Sequence, residues 1–83
     1  MNDELNYIWE AVKRFAAEKM STAAVRIWLE EAEIISLEDG VLTLYHPKEF
    51  YTAVIEAHHV EMLIRGMKEL FGLDVSVALL RKL

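Results

Sequence analysis

His58, His59 and Glu61 are the residues of this chain whose types and spacing could bind a metal ion, because imidazole and carboxylate groups are ordinary zinc ligands. Adjacent histidines on a helix, however, point about 100° apart, so only His58 and Glu61 share a face. The spacing therefore predicts no metal site. The same imidazoles could respond to pH, but histidines on a solvated helix usually have no such role.

Residues for catalysis do not form a recognisable motif. The chain contains no cysteine, which excludes disulfides, thiolate metal sites and cysteine nucleophiles. It also lacks a G-x-S-x-G motif, a glycine-rich phosphate loop and an H-E-x-x-H motif. Its serines have no neighbours that would activate them. We predict a non-enzymatic protein that needs no cofactor.

Length and composition predict one small domain with apolar surface to spare. A single domain of 83 residues buries only about 60 to 65% of its unfolded surface. Apolar residues make up 54% of the chain, above the roughly 45–50% of ordinary soluble domains. Part of this surplus is expected to face a partner.

Charge and hydropathy narrow the class of partner. The formal net charge of −5 repels a phosphate backbone, and the nine lysines and arginines are scattered along the chain. The first four residues, M-N-D-E, are acidic where a signal peptide needs basic residues. No apolar run approaches the roughly 18 residues of a membrane span. We expect a cytoplasmic protein with no membrane partner, which does not bind nucleic acid tightly by itself.

Two amphipathic helices are predicted in the first part of the chain. From Leu5 to Ala16 the apolar positions step by three and four, with charged residues between them. Ser21 and Thr22 can then accept hydrogen bonds from the first turn of a second helix. This second helix is expected to end at residue 31 or 32.

A β-hairpin is predicted next. Residues 34–37 have the β-branched content of a strand, and the following turn contains Gly40, which can adopt a positive φ. In the segment Leu42–Tyr45, leucines alternate with Thr and Tyr, so one set should face the core. Pro47 is expected to end this strand at about His46.

The last part of the chain predicts a long helix and a third strand. Pro47 suits the first turn of a helix, and apolar residues continue at helical spacing to a left-handed cap at Gly72, with a register slip at His58–His59 that allows a kink. Gly66 inside this helix would let another backbone approach closely, but it is interpreted mainly as a tolerated defect. Residues 75–79 then alternate as a strand. The order α-α-β-β-α-β predicts an α+β domain with helices packed on a three-stranded sheet.

Several landmarks fall in the order and spacing of a known family. They are an early tryptophan (Trp9), a second one in R-I-W-L (Trp28), the segment L-T-L-Y-H-P-K-E-F, a long helix, and G-L-D-V-S-V. From Leu5 to Leu79 the chain resembles the N-terminal domain, domain I, of the bacterial replication initiator DnaA. The resemblance implies a single domain over residues 1–83 with a small K-homology-like fold and no enzymatic activity. It also implies an interaction module of replication initiation.

The resemblance implies self-association, as a weak homodimer or oligomer, through the first helix. Trp9 matches the tryptophan through which such domains pair, and Ile8 and Val12 are expected beside it in the same patch. Periodicity alone would instead make Trp9 a core residue, because apolar stripes usually face inward. Trp28 is expected to be a core residue on the second helix.

The resemblance also implies docking of the replicative helicase or of initiation regulators. Phe50 matches a family phenylalanine associated with the helicase contact, and Ala24 and Val25 are expected at the same docking surface. Ala24 stands where some members carry a glutamate, while Val54 and His59 stand where aromatic residues are common. From sequence, Phe50 could equally pack the long helix onto the hairpin.

Two other functions stay open from the sequence. One is a freestanding adaptor or antagonist of the initiation machinery, without an attached ATPase. The other is a weak single-stranded nucleic-acid-binding module of the K-homology type. Such modules usually clamp the backbone with a G-x-x-G loop, and the three glycines of this chain do not have that spacing.

Overall fold

The computed structural model describes residues 3–19, 28–47 and 59–80. Within them the elements are α1 (Asp3–Lys19), the end of α2 (residues 28–31), β1 (Glu33–Glu38), β2 (Val41–Tyr45), α3 (Val60–Phe71) and β3 (Ser76–Leu80). The order α-α-β-β-α-β and the α+β class are as predicted. None of the described helices is long and apolar enough to cross a membrane.

The sheet has the strand order β1-β2-β3, with β2 in the centre. β1 runs antiparallel to β2, as expected for a hairpin, whereas β3 runs parallel to β2. A parallel neighbour requires a long crossover, and α3 lies within the connection from β2 to β3. Thr43 in the middle of β2 pairs with Ser36 on one side and with Ala78 on the other.

The hairpin turn consists of Asp39 and Gly40, which have φ values of 52° and 74°. Positive φ at both central residues is the requirement of a type I′ turn, whose twist matches that of the two strands. The prediction of a positive φ at Gly40 is confirmed. Gly40 has a second contact, because its carbonyl oxygen accepts a hydrogen bond from Ser76 N–H at 2.9 Å.

The core lies between one face of the sheet and the helices. Leu42 and Leu44 of β2 are fully buried, while Thr43 and Tyr45 on the opposite face are only partly buried, so the alternation predicted for β2 is confirmed. The described helices add seven further buried apolar residues to this cluster, and Ala32, which follows α2, adds an eighth; the seven are Trp9, Val12, Ala16, Trp28, Leu29, Leu63 and Met67.

Trp28 and His46 join the end of α2 to the end of β2. Their rings stack with centroids 5.2 Å apart and planes inclined by 18°, and both side chains are almost completely buried. The prediction of Trp28 as a core residue is confirmed. The strand β2 ends at Tyr45, immediately before His46, as expected. The predicted helix start after Pro47 lies outside the described residues.

Gly66 lies where α1 and α3 meet. It is buried, and a Cβ atom at this position would lie 3.0 Å from Cδ1 of Phe15. Because Gly66 has no side chain, the Phe15 ring can pack directly against α3. Gly66 therefore has a packing role rather than being mainly a tolerated defect, and its close neighbour is the side chain of Phe15.

The start of α3 coincides with the predicted register slip, and its end coincides with the predicted glycine cap. The helix starts at Val60, with His59 at the N-cap position and His59 O accepting hydrogen bonds from the N–H groups of Met62 and Leu63. A helix start therefore lies at the slip, and the residues before it, on which the prediction of a kink depends, lie outside the described residues. At the other end Gly72 has φ 68°, which confirms the predicted left-handed cap.

We expect Gly40→Ala to lower the free energy of unfolding by about 1–2 kcal/mol, because an alanine is strained at this positive φ. The nearest atom to an added Cβ is Asp74 O at 3.7 Å, so the cost arises from the backbone rather than from a clash. Urea unfolding followed by circular dichroism would measure it. Asp39→Asn is the matched control and should leave stability nearly unchanged, since asparagine tolerates this conformation. Equal stability of Gly40→Ala and wild type would contradict the turn assignment.

Candidate protein interaction surface

Trp9 and Val12, two of the three residues predicted for self-association, lie in the core. Trp9 is 3% exposed and Val12 is fully buried. The indole Nε1 of Trp9 donates a hydrogen bond to the carbonyl oxygen of Ala32 at 3.1 Å. This bond ties α1 to the residue between α2 and β1. Neither side chain offers surface to a partner while the core is intact, and self-association itself stays a prediction.

Ile8, the third predicted residue, reaches the surface. It is partly buried against the core cluster and lines a shallow depression of about 250 Å³ together with Glu4, Leu5 and Leu37. The depression lies where α1 passes over β1. Apolar surface on α1 that could contact a partner therefore starts beside the buried stripe rather than on it.

Tyr7 is the prominent residue on the outer side of α1, with 68% of its surface exposed. Sequence reasoning missed it, because it falls outside the apolar stripe that defines the core-facing side. The available signal was a large aromatic residue at a position where helical periodicity predicts solvent. An exposed tyrosine combines a large apolar ring with a polar hydroxyl, which suits a contact surface.

A second depression separates α1 from the end of α3. Ala11, Arg14, Phe15, Glu18 and Leu70 line it, and its volume is about 180 Å³. Leu70 is 44% exposed although it is a large apolar residue in a helix. Ala11 follows Tyr7 by one helical turn, so Tyr7 and this depression adjoin on the same side of α1.

We call these apolar residues the α1 surface. They share an exposed or partly exposed position on or beside α1, and they are Tyr7, Ile8, Ala11, Phe15 and Leu70. Charged groups border them, and the Lys19 ammonium lies 4.9 Å from the centroid of the Phe15 ring. An apolar centre with a polar border is the usual composition of a protein interface.

A third depression, of about 340 Å³, lies between α1 and the end of α2, where Leu29 forms part of its wall. Its Lys13 Nζ is 2.7 Å from Glu10 Oε1 and 5.8 Å from the centroid of the Trp9 ring. Lys13 thus covers the buried indole and is paired with a carboxylate. The charge of Lys13 is therefore compensated within α1.

Of the residues considered for a metal site, His59 and Glu61 are among those that the structure describes. Among the described residues, no group of three or more histidines, aspartates and glutamates is placed to hold a metal ion. His59 occupies the N-cap of α3, and Glu61 is exposed in the first turn of that helix. His58 lies outside the described residues.

The residues predicted for partner docking also lie outside the described residues. These are Phe50, Ala24 and Val25, and the position of Val54 is likewise not described. Their roles stay predictions from the resemblance.

Comparison with known proteins shows a weak similarity to replication initiators. No family model matches the chain. The chain is similar to the chromosomal replication initiator protein DnaA of two strains of Porphyromonas gingivalis, each 29% identical over 73 residues. The match covers 88% of this chain but only 15% of each relative. These matches support a DnaA-like relation over most of the chain.

We expect Trp9→Ala to destabilise the domain by about 3–5 kcal/mol, because it removes a buried indole from the core. In a domain of this size such a loss would leave much of the protein unfolded. Trp9→Phe is the milder companion: it keeps most of the apolar ring but leaves Ala32 O without its donor, at a cost of about 1–3 kcal/mol. Urea unfolding would measure both. A stable Trp9→Ala variant would show that the indole is not part of the core.

Proposed function

We propose that this chain is a non-enzymatic protein–protein interaction module of DNA replication initiation. The similarity to the initiator DnaA over 88% of the chain supports the link to replication initiation. The apolar α1 surface supports the role of an interaction module. The whole chain then acts as a single domain whose fold serves to present this surface.

The observation that carries this proposal is the exposure of Tyr7 on a helix whose opposite side is firmly held in the core. Interface energy is concentrated in a few anchor residues, and tyrosine is among the types most enriched there. Two depressions are lined by neighbours of Tyr7 on α1, one by Ile8 and the other by Ala11. An exposed aromatic anchor near two depressions that carry both apolar and charged side chains supports a complementary contact.

Self-association through the α1 surface follows from this arrangement. In a two-fold dimer the same patch on both chains must be self-complementary. Two α1 surfaces facing each other would place Tyr7 of one chain against the Ala11–Leu70 depression of the second. The proposed interface is thus still on the first helix, as predicted. Its contacts are made by Tyr7, Ile8 and their neighbours rather than by Trp9 and Val12.

Weak pairing would suffice for a role in initiation. When a module is part of a larger assembly, a second contact forms at a high effective concentration, so that modest affinities add up. Individual contacts remain reversible, which allows an assembly to disperse after use. The replicative helicase and initiation regulators would dock through Phe50, Ala24 and Val25, the residues that the resemblance implies for this contact.

We expect Tyr7→Ala to weaken self-association at least about tenfold while leaving the fold intact, because a central aromatic anchor is removed from an exposed position. Sedimentation velocity over a concentration series would measure this, with circular dichroism as a check of folding. Asn6→Ala, an exposed neighbour on the same helix, is the matched control and should associate like the wild type. Unchanged association of Tyr7→Ala would place the contact elsewhere.

We expect Phe50→Ala to lower binding of the replicative helicase about tenfold or more if the docking surface is as proposed. Biolayer interferometry with immobilised helicase would measure it. Tyr7→Ala serves as the reciprocal control and should bind the helicase normally, since Tyr7 is not among the residues proposed for docking. Failure of the wild-type chain to bind the helicase would remove this partner from the proposal while leaving self-association to its own test.

A further inference from the structure

The two faces of the sheet have different surroundings. One face belongs to the core, where Leu42 and Leu44 of β2 are fully buried in the cluster that the helices complete. Residues that lie directly opposite each other on paired strands point to the same face, so the register assigns the other face row by row. We call this other face the open sheet face. Its members are Glu33, Ser36 and Glu38 of β1, Val41, Thr43 and Tyr45 of β2, and Ser76, Ala78 and Leu80 of β3.

The open sheet face is accessible to solvent. None of its residues is buried, and Glu33, Glu38 and Ser76 are fully in the exposed class. The central strand shows the contrast most clearly, because Thr43 and Tyr45 keep part of their surface whereas Leu42 and Leu44 keep none. A strand that is covered on both faces is buried at every position. β2 is buried on one face only, so the other face has room for a partner.

Ile35 adds a protruding apolar side chain to this face. The register of β1 with β2 shifts between Ile34 and Ser36, and 36% of the surface of Ile35 is exposed. Ile34 packs against the core, so alternation along the strand places Ile35 on the open sheet face. Bulges commonly re-aim a side chain in this way beside a functional site. The apolar members of the face are then Ile35, Val41, Tyr45, Ala78 and Leu80.

The charges of this face are all negative, and all lie on its β1 side. Glu33 and Glu38 are exposed at the two ends of β1, and the exposed Asp39 follows in the turn. The described residues of the face include no lysine or arginine. Neither Glu33 nor Glu38 forms an ion pair with another described residue. A ligand that covers the apolar members must therefore supply positive charge along the β1 edge.

We infer that the open sheet face binds an amphipathic helix of a partner protein, with lysine or arginine along the flank that lies over β1. A helix is a usual cover for an apolar sheet face. Its apolar stripe would contact Ile35, Tyr45 and Leu80. The α1 surface belongs to a helix packed on the other face of the sheet, so the two surfaces differ in position and in partner. The inference goes beyond the proposed function and does not require self-association.

The spacing of the two carboxylates specifies the helix further. Glu33 and Glu38 are the first and last residues of β1, so about 16 Å of strand separates them. On a helix, two residues about 11 positions apart are also separated by about 16 Å, and they lie on the same side. A helix aligned with the strands can thus place one basic residue over each carboxylate.

The same charges disfavour other occupants. A nucleic acid or an anionic lipid surface would bring phosphates against Glu33 and Glu38. A second open sheet face would bring further carboxylates, and its described residues hold no basic group to neutralise them. A basic amphipathic helix is the occupant that supplies both the apolar stripe and the positive charge.

A designed peptide tests the inference directly. The probe is a fluorescein-labelled helix of about 18 residues, with a leucine stripe and two flanking lysines about 11 positions apart. It should bind the wild-type chain, and the same peptide with glutamate in place of lysine should bind at least about tenfold more weakly, because like charges are then juxtaposed. Fluorescence anisotropy measures both affinities. Absence of binding by the lysine peptide overturns the inference.

Charge reversal separates the site from the net charge of the chain. The double variant Glu33→Lys/Glu38→Lys should bind the lysine peptide at least about tenfold more weakly and should prefer the glutamate peptide. Glu61→Lys/Glu69→Lys is the matched control: it makes the same charge change at exposed positions of α3 and should keep the preference of wild type. Circular dichroism checks the fold of both. An equal loss in the two double variants overturns the inference, since binding would then follow net charge alone.

An apolar substitution locates the peptide on the chain. Ile35→Ser should weaken binding of the lysine peptide about fivefold, because one partly exposed apolar contact is lost. Leu70→Ser is its control, since Leu70 is 44% exposed but belongs to the α1 surface. It should bind the peptide like wild type. Weaker binding in Leu70→Ser with unchanged binding in Ile35→Ser would place the peptide on the α1 surface and overturn the inference. Self-association, measured with Tyr7→Ala, succeeds or fails independently of these results.

Discussion

The rest of the structure depends on the burial of both tryptophans. A chain of 83 residues has few large apolar side chains, and Trp9 and Trp28 supply the two largest ones in its core. Trp9 holds α1 against Ala32 through the indole hydrogen bond, and Trp28 stacks on His46 at the end of β2. Together they fasten α1, the end of α2 and the central strand to one another. In a small domain, where little surface is buried overall, such contacts determine whether the helices and the sheet stay together.

This constraint explains why the proposed surface for partners lies beside Trp9 rather than on it. Because the Trp9 indole is buried in the core, it cannot also contact a partner. Exposed residues on the flanks of α1 would make that contact instead. It also separates two effects that a substitution on this helix can have. Changes at Trp9 act mainly on stability, whereas changes at Tyr7 act on the surface. A loss of association in a Trp9 variant would therefore say little about where two chains meet.

Patterns of local origin allowed most of the fold to be predicted. Alternation in Leu42–Tyr45, the Asp-Gly turn and the glycine cap of α3 each reflect the conformation of a few neighbouring residues, and the structure confirms them. The parallel pairing of β3 with β2 was not specified, because strand direction in a sheet depends on distant segments. For the same reason, the sequence did not determine whether Trp9 is buried, and it did not predict that Phe15 packs on Gly66. Helical periodicity assigns a face to α1 but does not say how far each flank is covered by neighbouring helices, which is why Tyr7 and Leu70 were missed as surface residues.

The hydrogen bond from Ser76 N–H to Gly40 O has a consequence for the order of folding. The hairpin closes through two turn residues, and such hairpins form within about 1–10 μs. β3 has to return from beyond α3 to reach the same turn, and contacts between distant segments form more slowly. There is consequently an interval in which β1 is already paired with one edge of β2, while the other edge of β2 still lacks β3. During this interval Gly40 O also lacks the Ser76 N–H donor. During that interval β3 of another chain fits the vacancy as well as the chain's own strand does, so exchange of this strand between molecules competes with folding at high concentration.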